Sequence, residues 1–276
     1  MSHSPVAYDD NAGSGRQLDE DRHDGVRRGL DSSLAQCRLV YSSSAQIVLE
    51  PCNGNQINLD GTSYTIPSSG ITLANTGLTA ATLYYVYAYD NAGTLALQAS
   101  TTGHSVNTTT GLPQMTGTAA TVLVGWVYMG PGTPGTFVDT AASRTVVSYF
   151  NRRNRELIGA NTASGITNTS YAEVTSAARV QFISTGDDAV TLGLAGYIGG
   201  ATNQNSYVGI GIDGATTNPF PAEFIYFSVT SASIAPVGGS VSTTLAEQWH
   251  YATVIGKVQT SGTTSMECCL CGFIRG

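Results

Sequence analysis

The sequence predicts an all-β protein: two antiparallel β-sandwich or jelly-roll-like domains preceded by an extended N-terminal arm. Three observations carry this. Charge is concentrated at one end: residues 1–38 hold seven acids and five arginines, whereas the rest of the chain holds twelve acids and seven bases, Lys257 being the one lysine. The body is written in Gly, Thr, Ser, Ala and Val with β-branched and aromatic runs, which suit a pleated, half-buried surface. No stretch of real length repeats its apolar residues at the 3.6 period, so helices are expected to be scarce.

Residues 1–36 read as an anchoring arm. Asn11-Ala12-Gly13-Ser14-Gly15 is flexible punctuation. Arg16, Arg22, Arg27 and Arg28 interleave with Asp19, Glu20, Asp21 and Asp24, and there is too little apolar residue to make a core. Such a segment is expected to order only against a partner, with the four arginines as docking residues.

Residues 37–150 read as the first β domain. Arg38–Tyr41 and Ala45–Leu49 are strand candidates, and Asn53-Gly54 and Asp60-Gly61 are turns that tolerate positive φ. Thr82–Tyr89 is the densest aromatic and β-branched run, turned back by Asp90-Asn91-Ala92-Gly93 into Thr94–Leu97. Ala120–Tyr128 is a second long strand, ended by Pro131-Gly132-Thr133-Pro134-Gly135, and Arg144–Phe150 closes the domain. Tyr85, Tyr87, Tyr89, Trp126 and Tyr128 are expected to include its core, because alternate strand residues share a face.

Residues 151–160, with Arg152, Arg153 and Arg155, read as a connector. Residues 161–276 read as a C-terminal jelly-roll-like domain. Its expected strands are 178–184, 189–198, 207–212, 223–230, 249–259 and 266–274, with turn signals about every 10–15 residues.

Composition excludes several function classes. A net charge of −7 and a pI near 4.9 argue against nucleic acid, whose phosphates need clustered Lys and Arg. No run of about 18 apolar residues predicts membrane insertion. The N-terminus has no apolar stretch of the secretory kind, so assembly in a cytoplasm is expected. Charged residues are only 11% of the chain, less than half the usual quarter, a composition that fits burial of neutral faces against copies of the same chain.

The chemical motifs resolve into structural readings. Gly209-Ile210-Gly211-Ile212-Asp213-Gly214 matches a dinucleotide fingerprint, but Ala-Thr-Thr-Asn-Pro-Phe-Pro follows and cannot open a helix. The expectation is a strand ending in an Asp-Gly turn. Glu267-Cys268-Cys269-Leu270-Cys271 has three thiols, but neighbours on a strand point to opposite faces and no second Cys/His cluster accompanies them. Cys37 and Cys52 could meet in a hairpin, but free thiols are the expectation in a reducing compartment. Asp187-Asp188 reads as an acidic turn in preference to a Ca²⁺ site. No nucleophile–base spacing is present, and neither a cofactor nor a metal is implied.

The run from Asn53-Gly54-Asn55 through Thr65-Ile66-Pro67, Gly77-Leu78-Thr79-Ala80 and Leu83–Tyr89, then Thr101-Thr102-Gly103-His104 and Ser148–Arg153, resembles a domain common in tailed-bacteriophage structural proteins. Trp249-His250-Tyr251 to Gly256-Lys257-Val258, and the closing Gly272–Gly276, are similar to the last strands of phage fibre-tip domains. The resemblance spans residues 37–276. It implies a virion location, homotrimeric assembly and no catalytic residues. The expectation is a non-enzymatic head-fibre, tail-fibre, spike or capsid-decoration subunit, docked on capsid or tail proteins through residues 1–36. Its distal loops, Thr202–Ser206 and Ala215–Pro221, would offer Asn203, Asn205, Tyr207, Asn218 and Phe220 to a host-surface glycan or protein. Two rivals are a phage spike that cleaves glycans, which needs paired carboxylates, and a free carbohydrate-binding lectin.

Overall fold

The computed structural model describes residues 35–199, 204–214, 224–228, 234–260 and 262–276. The docking arginines Arg16, Arg22, Arg27 and Arg28, and Asn203, Asn218 and Phe220 of the expected distal loops, lie outside them. Among the described residues the fold is all β, with one single-turn 3₁₀ helix at Ser176–Ala178.

The first half begins with β1 (Cys37–Ser43), β2 (Gln46–Pro51), β3 (Gln56–Leu59), β4 (Thr62–Thr65) and β5 (Ile71–Ala74). It continues with β6 (Leu83–Asn91), β7 (Thr94–Ser100), β8 (His104–Val106), β9 (Pro113–Met115) and β10 (Thr121–Tyr128), and ends with β11 (Asp139–Thr140), β12 (Ser143–Arg144) and β13 (Val146–Ser148). A three-stranded sheet β1-β2-β5 and a four-stranded sheet β13-β10-β6-β7 enclose a core that includes Leu39, Ile47, Ile57, Val86, Val124 and Phe137. The expected hairpin turns are present: Asp60-Gly61 joins β3 to β4 and Ala92-Gly93 joins β6 to β7, all four residues at positive φ. β10 bulges between Leu123 and Gly125. There a Cβ on Gly125 would stand 2.3 Å from the Val147 carbonyl, so the close strand approach requires glycine.

The second half holds β14 (Asn154–Ile158), β15 (Thr162–Ile166), β16 (Ala172–Glu173), β17 (Val180–Ser184) and β18 (Ala189–Gly199). After these come β19 (Gln204–Ile212), β20 (Phe224–Ser228), β21 (Ile234–Thr244), β22 (Gln248–Val258) and β23 (Thr264–Arg275). Eight of them make the paths β14-β23-β18-β21 and β17-β22-β19-β20 of two sheets, which β15, paired to β23, and β16, β11 and β12, added to the second, enlarge to five and seven strands. Counted along the chain these are the orders first-eighth-third-sixth and second-seventh-fourth-fifth, the strand order of a jelly roll. Alternation builds the core between them: Leu192 and Leu194 of β18, Met266, Cys268 and Leu270 of β23, and Val254 of β22 point inward.

Two details differ from the sequence reading. Residues 154–158 of the expected connector form an edge strand, because Leu157 is buried in the second core and β14 pairs with β23 from Asn154↔Arg275 to Ile158↔Cys271. The chain also passes between the halves more than once: β12 pairs in parallel with β17 of the second half, and β13 then returns to β10.

A further cluster joins the halves: Tyr87, Leu123, Trp126 and Val147 pack with Ile183 of β17. Tyr87 and Trp126 are buried as expected, but they face this junction and not the first core. In β6 it is Val86 and Ala88 that point into that core, so the intervening tyrosines face away from it.

Candidate functional site

The residues with the most chemistry in the sequence are bound up in the chain's own contacts. Arg152 donates to Asp188 at 2.5 Å and to Thr185 at 2.8 Å, and Arg155 donates to Asp139 at 2.6 Å. Two of the three arginines of the basic run 152–155 are thus paired within the fold, and Arg153 is exposed. Asp139 also meets Arg144 at 3.4 Å, and Arg275 approaches Asp188 at 3.4 Å. His104 is in β8 and meets Glu247 at 2.8 Å. Its ring packs edge-on against Tyr85 and Trp126, fastening the halves beside the junction. Burial, and then the charge of Glu247, pushes the Tyr85 phenol up to about 12, so it stays neutral. His250 meets Asp213 at 2.6 Å and the Ala246 carbonyl at 3.0 Å. This is the Asp-Gly turn at the end of the Gly209–Gly214 motif, with Asp213 at positive φ.

Five of the acids after residue 160 carry such partners: Glu173 with Arg179, Asp188 with Arg152, Asp213 with His250, Glu247 with His104, and Glu267 with Tyr197 and Asn161. The five cysteines are free thiols. Burial pushes the Cys37 and Cys268 thiols up, Cys268 to about 11, so both behave as small apolar groups. Cys269 and Cys271 point away from Cys268, to the outer face of β23, as strand alternation requires.

Asn205 and Tyr207, expected in a distal loop, are strand residues of β19. Tyr207 pairs with Lys257 of β22, whose ammonium sits 4.5 Å from the Tyr207 ring and 4.4 Å from the Tyr171 ring. The alternation of Tyr207-Val208-Gly209-Ile210, with Val208 and Ile210 buried, holds this segment in the sheet.

A surface that the sequence reading did not identify is the outer face of the β14-β23-β18-β21 sheet. Register lines up its residues in rows: Glu156, Phe273, Thr191, Ser242; Ile158, Cys271, Gly193, Ser240; Cys269, Ala195, Gly238; Glu267, Tyr197, Pro236; and Ser265, Gly199, Ile234. The middle rows are small and flat. Larger residues frame them, and these are open to solvent: Phe273 is 47% exposed, Ile158 43%, Tyr197 43% and Ile234 68%. They are four of the six exposed large hydrophobic residues in the described chain. Glu156 and Glu267 are the charged residues of these rows, and Glu267 accepts hydrogen bonds from the Tyr197 hydroxyl and the Asn161 amide. The signal was present as alternation in residues 266–274, but the rows exist only once distant strands are laid side by side.

No family model matches this chain, and no curated protein matches it. Among solved structures it is similar to a chain of infectious bursal disease virus, Gx strain, at 13% identity over 78% of this chain and 64% of that one, with a TM-score of 0.30. Dimeric latent PorU from Porphyromonas gingivalis matches at 8% identity over 87% of this chain and 22% of that one, TM-score 0.29. A Bacillus thuringiensis Cry1Da tryptic core variant matches at 9% identity over 88% and 51%, TM-score 0.24. The chain spans less than two thirds of each, and at these scores the likenesses carry no functional argument.

Proposed function

We propose that this chain is a non-enzymatic structural subunit of a tailed-phage particle, a fibre, spike or decoration protein that works by assembling with copies of itself and displaying a β body. The observation that carries the reading is the outer face of the β14-β23-β18-β21 sheet. Its middle rows are flat and uncharged, its charges are Glu156, Glu267 and Arg275, and it exposes four large apolar side chains on one surface, the profile of an interaction face. A second copy is the occupant the composition favours. A neutral face needs no charge complement, and closed symmetry lets identical small-residue rows approach one another. The homotrimer is the state implied by the resemblance to phage fibre domains. Five of the carboxylates after residue 160 are held in ion pairs and hydrogen bonds within the fold, which favours the structural reading over a glycan-cleaving spike.

Light scattering of the full chain tests the assembly: the expected mass is about three times 28.7 kDa. A stable monomer at micromolar concentration overturns it. Location is tested by mass spectrometry of purified virions. A chain lacking residues 1–34, which keeps Ala35 in the first core and Gln36 bonded to Gln56, is expected to assemble with its copies but to be missing from particles. Incorporation at unchanged copy number would move the anchor into the β body.

A further inference from the structure

A cleft of about 540 Å³ opens where the two halves meet, away from the sheet face described above. Part of its lining is a pair of rings stacked face against face, one from each half: Tyr128 at the end of β10 and Trp249 in β22, with centroids 4.6 Å apart and planes 14° apart. Both are half-buried and both line the cleft. Small residues such as Ala80 and Gly130 leave space beside the rings. The polar lining is neutral. Thr145 gives its hydroxyl to the Val138 carbonyl at 2.6 Å, whereas the Ser143 hydroxyl and the Gln181 amide make no side-chain hydrogen bond among the described residues. Gln181 shares a strand face with Ile183, the residue that meets the first half, so it is aimed at the junction. No charged side chain lines the cleft.

We propose that this cleft is a binding site for a neutral sugar, a pyranose ring packed against the aromatic surface that the Tyr128–Trp249 stack leaves open to the cleft, with its hydroxyls paired to Gln181 and Ser143. A pyranose is a disc with a polarised C–H face and a hydroxyl rim. The electron-rich face of an aromatic ring attracts the first, and an amide with free donor and acceptor satisfies the second. A purely apolar ligand would cover the Gln181 amide without replacing its hydrogen bonds to water, at a net cost. A charged ligand would find no counter-charge. The volume lies within the roughly 300–1,000 Å³ of small-ligand pockets. A neighbouring hollow of about 440 Å³, which shares Ala80, gives room for a second ring. The inference is independent of the particle reading, because it depends on the cleft alone.

Saturation-transfer NMR on the full chain tests it, with the methyl glycosides of glucose, galactose, mannose and N-acetylglucosamine as probes. Sialic acid is the charged control and Nile red the apolar one. The expected result is transfer to the C–H protons of at least one neutral glycoside, with affinity reduced at least about tenfold in Trp249→Ala and in Gln181→Leu. Gln181→Leu keeps the side-chain size and touches neither core, so it decides the matter if Trp249→Ala does not fold. Absence of transfer from all four glycosides overturns the proposal. So does entry of Nile red or sialic acid alone, or glycoside binding that Gln181→Leu leaves unchanged.

Discussion

The two sheets of the second half share one core but meet the outside differently. The outer face of β17-β22-β19 is dressed by its own chain. Trp249 stacks on Tyr128 of the first half, Arg179 lies 4.6 Å from the Tyr251 ring, Lys257 sits between Tyr171 and Tyr207, and Ile183 packs on Tyr87 and Trp126. The outer face of β14-β23-β18-β21 instead exposes Phe273, Tyr197, Ile158 and Ile234 around rows of Gly, Ala and Ser. A sandwich sheet needs only one buried face to fold, so the second face is free to take a role. Here one such face fastens the halves, and the other is left for a partner.

The largest test of this contrast is at the fastened face. Trp126 is 1% exposed and touches the junction. Trp126→Ala is expected to cost about 3–5 kcal/mol in urea unfolding, as removal of a buried aromatic does. A cost below about 1 kcal/mol would mean that the junction collapses around the loss or contributes little. At the free face, Phe273→Thr removes no core contact and places no charge opposite Glu156. It is expected to leave the unfolding of dilute protein within about 0.5 kcal/mol of the parent. What should vanish is the rise of melting temperature with protein concentration that assembly produces. If parent and variant melt alike at every concentration, Phe273 is outside any interface. Lys257→Met is smaller: each ring contact is worth about 0.5–1 kcal/mol where solvent reaches it, and the thermal shift should be correspondingly slight.

Legibility followed the range of the interactions. The turn at Asp60-Gly61 was visible because positive φ is a local property of Asp and Gly, and the long strands were visible because alternation and β-branching are local too. That Cys268 and Cys269 face opposite ways followed from the two-residue period alone, and the fold turns Cys268 inward. What could not be read was adjacency. Nothing near Arg155 announces Asp139 as its partner, and nothing near His104 announces Glu247, since both pairs are made by strands that the fold brings together. The run 151–160 looked like a connector because its arginines are polar and its apolar content is slight. It becomes a strand because β23 supplies the ladder and Asp139 the counter-charge. The outer sheet face was hidden for the same reason: Phe273 lies between Glu156 and Thr191 only after three separated strands are in register.

The smallest expected effect concerns acid, and it separates the two faces by their electrostatics. Glu173 of β16 accepts from Arg179 at 2.5 and 2.7 Å and from the Thr253 hydroxyl at 2.6 Å. The Arg179 hydrogen bonds, ahead of opposing desolvation, hold its carboxyl below the usual value. A carboxyl with a depressed folded value stabilises the fold above its unfolded value, about 4.3 for Glu, and loses that contribution as pH falls through the folded value. Because Arg179 is about a third exposed, solvent screening limits the contribution to under about 1 kcal/mol. Melting curves of the parent and of Glu173→Gln should therefore differ at pH 7 and converge as the pH is lowered past that range. A difference that persists undiminished in acid would show that the substitution acts through packing around Thr253, and that the Arg179 ion pair contributes nothing to fastening this face.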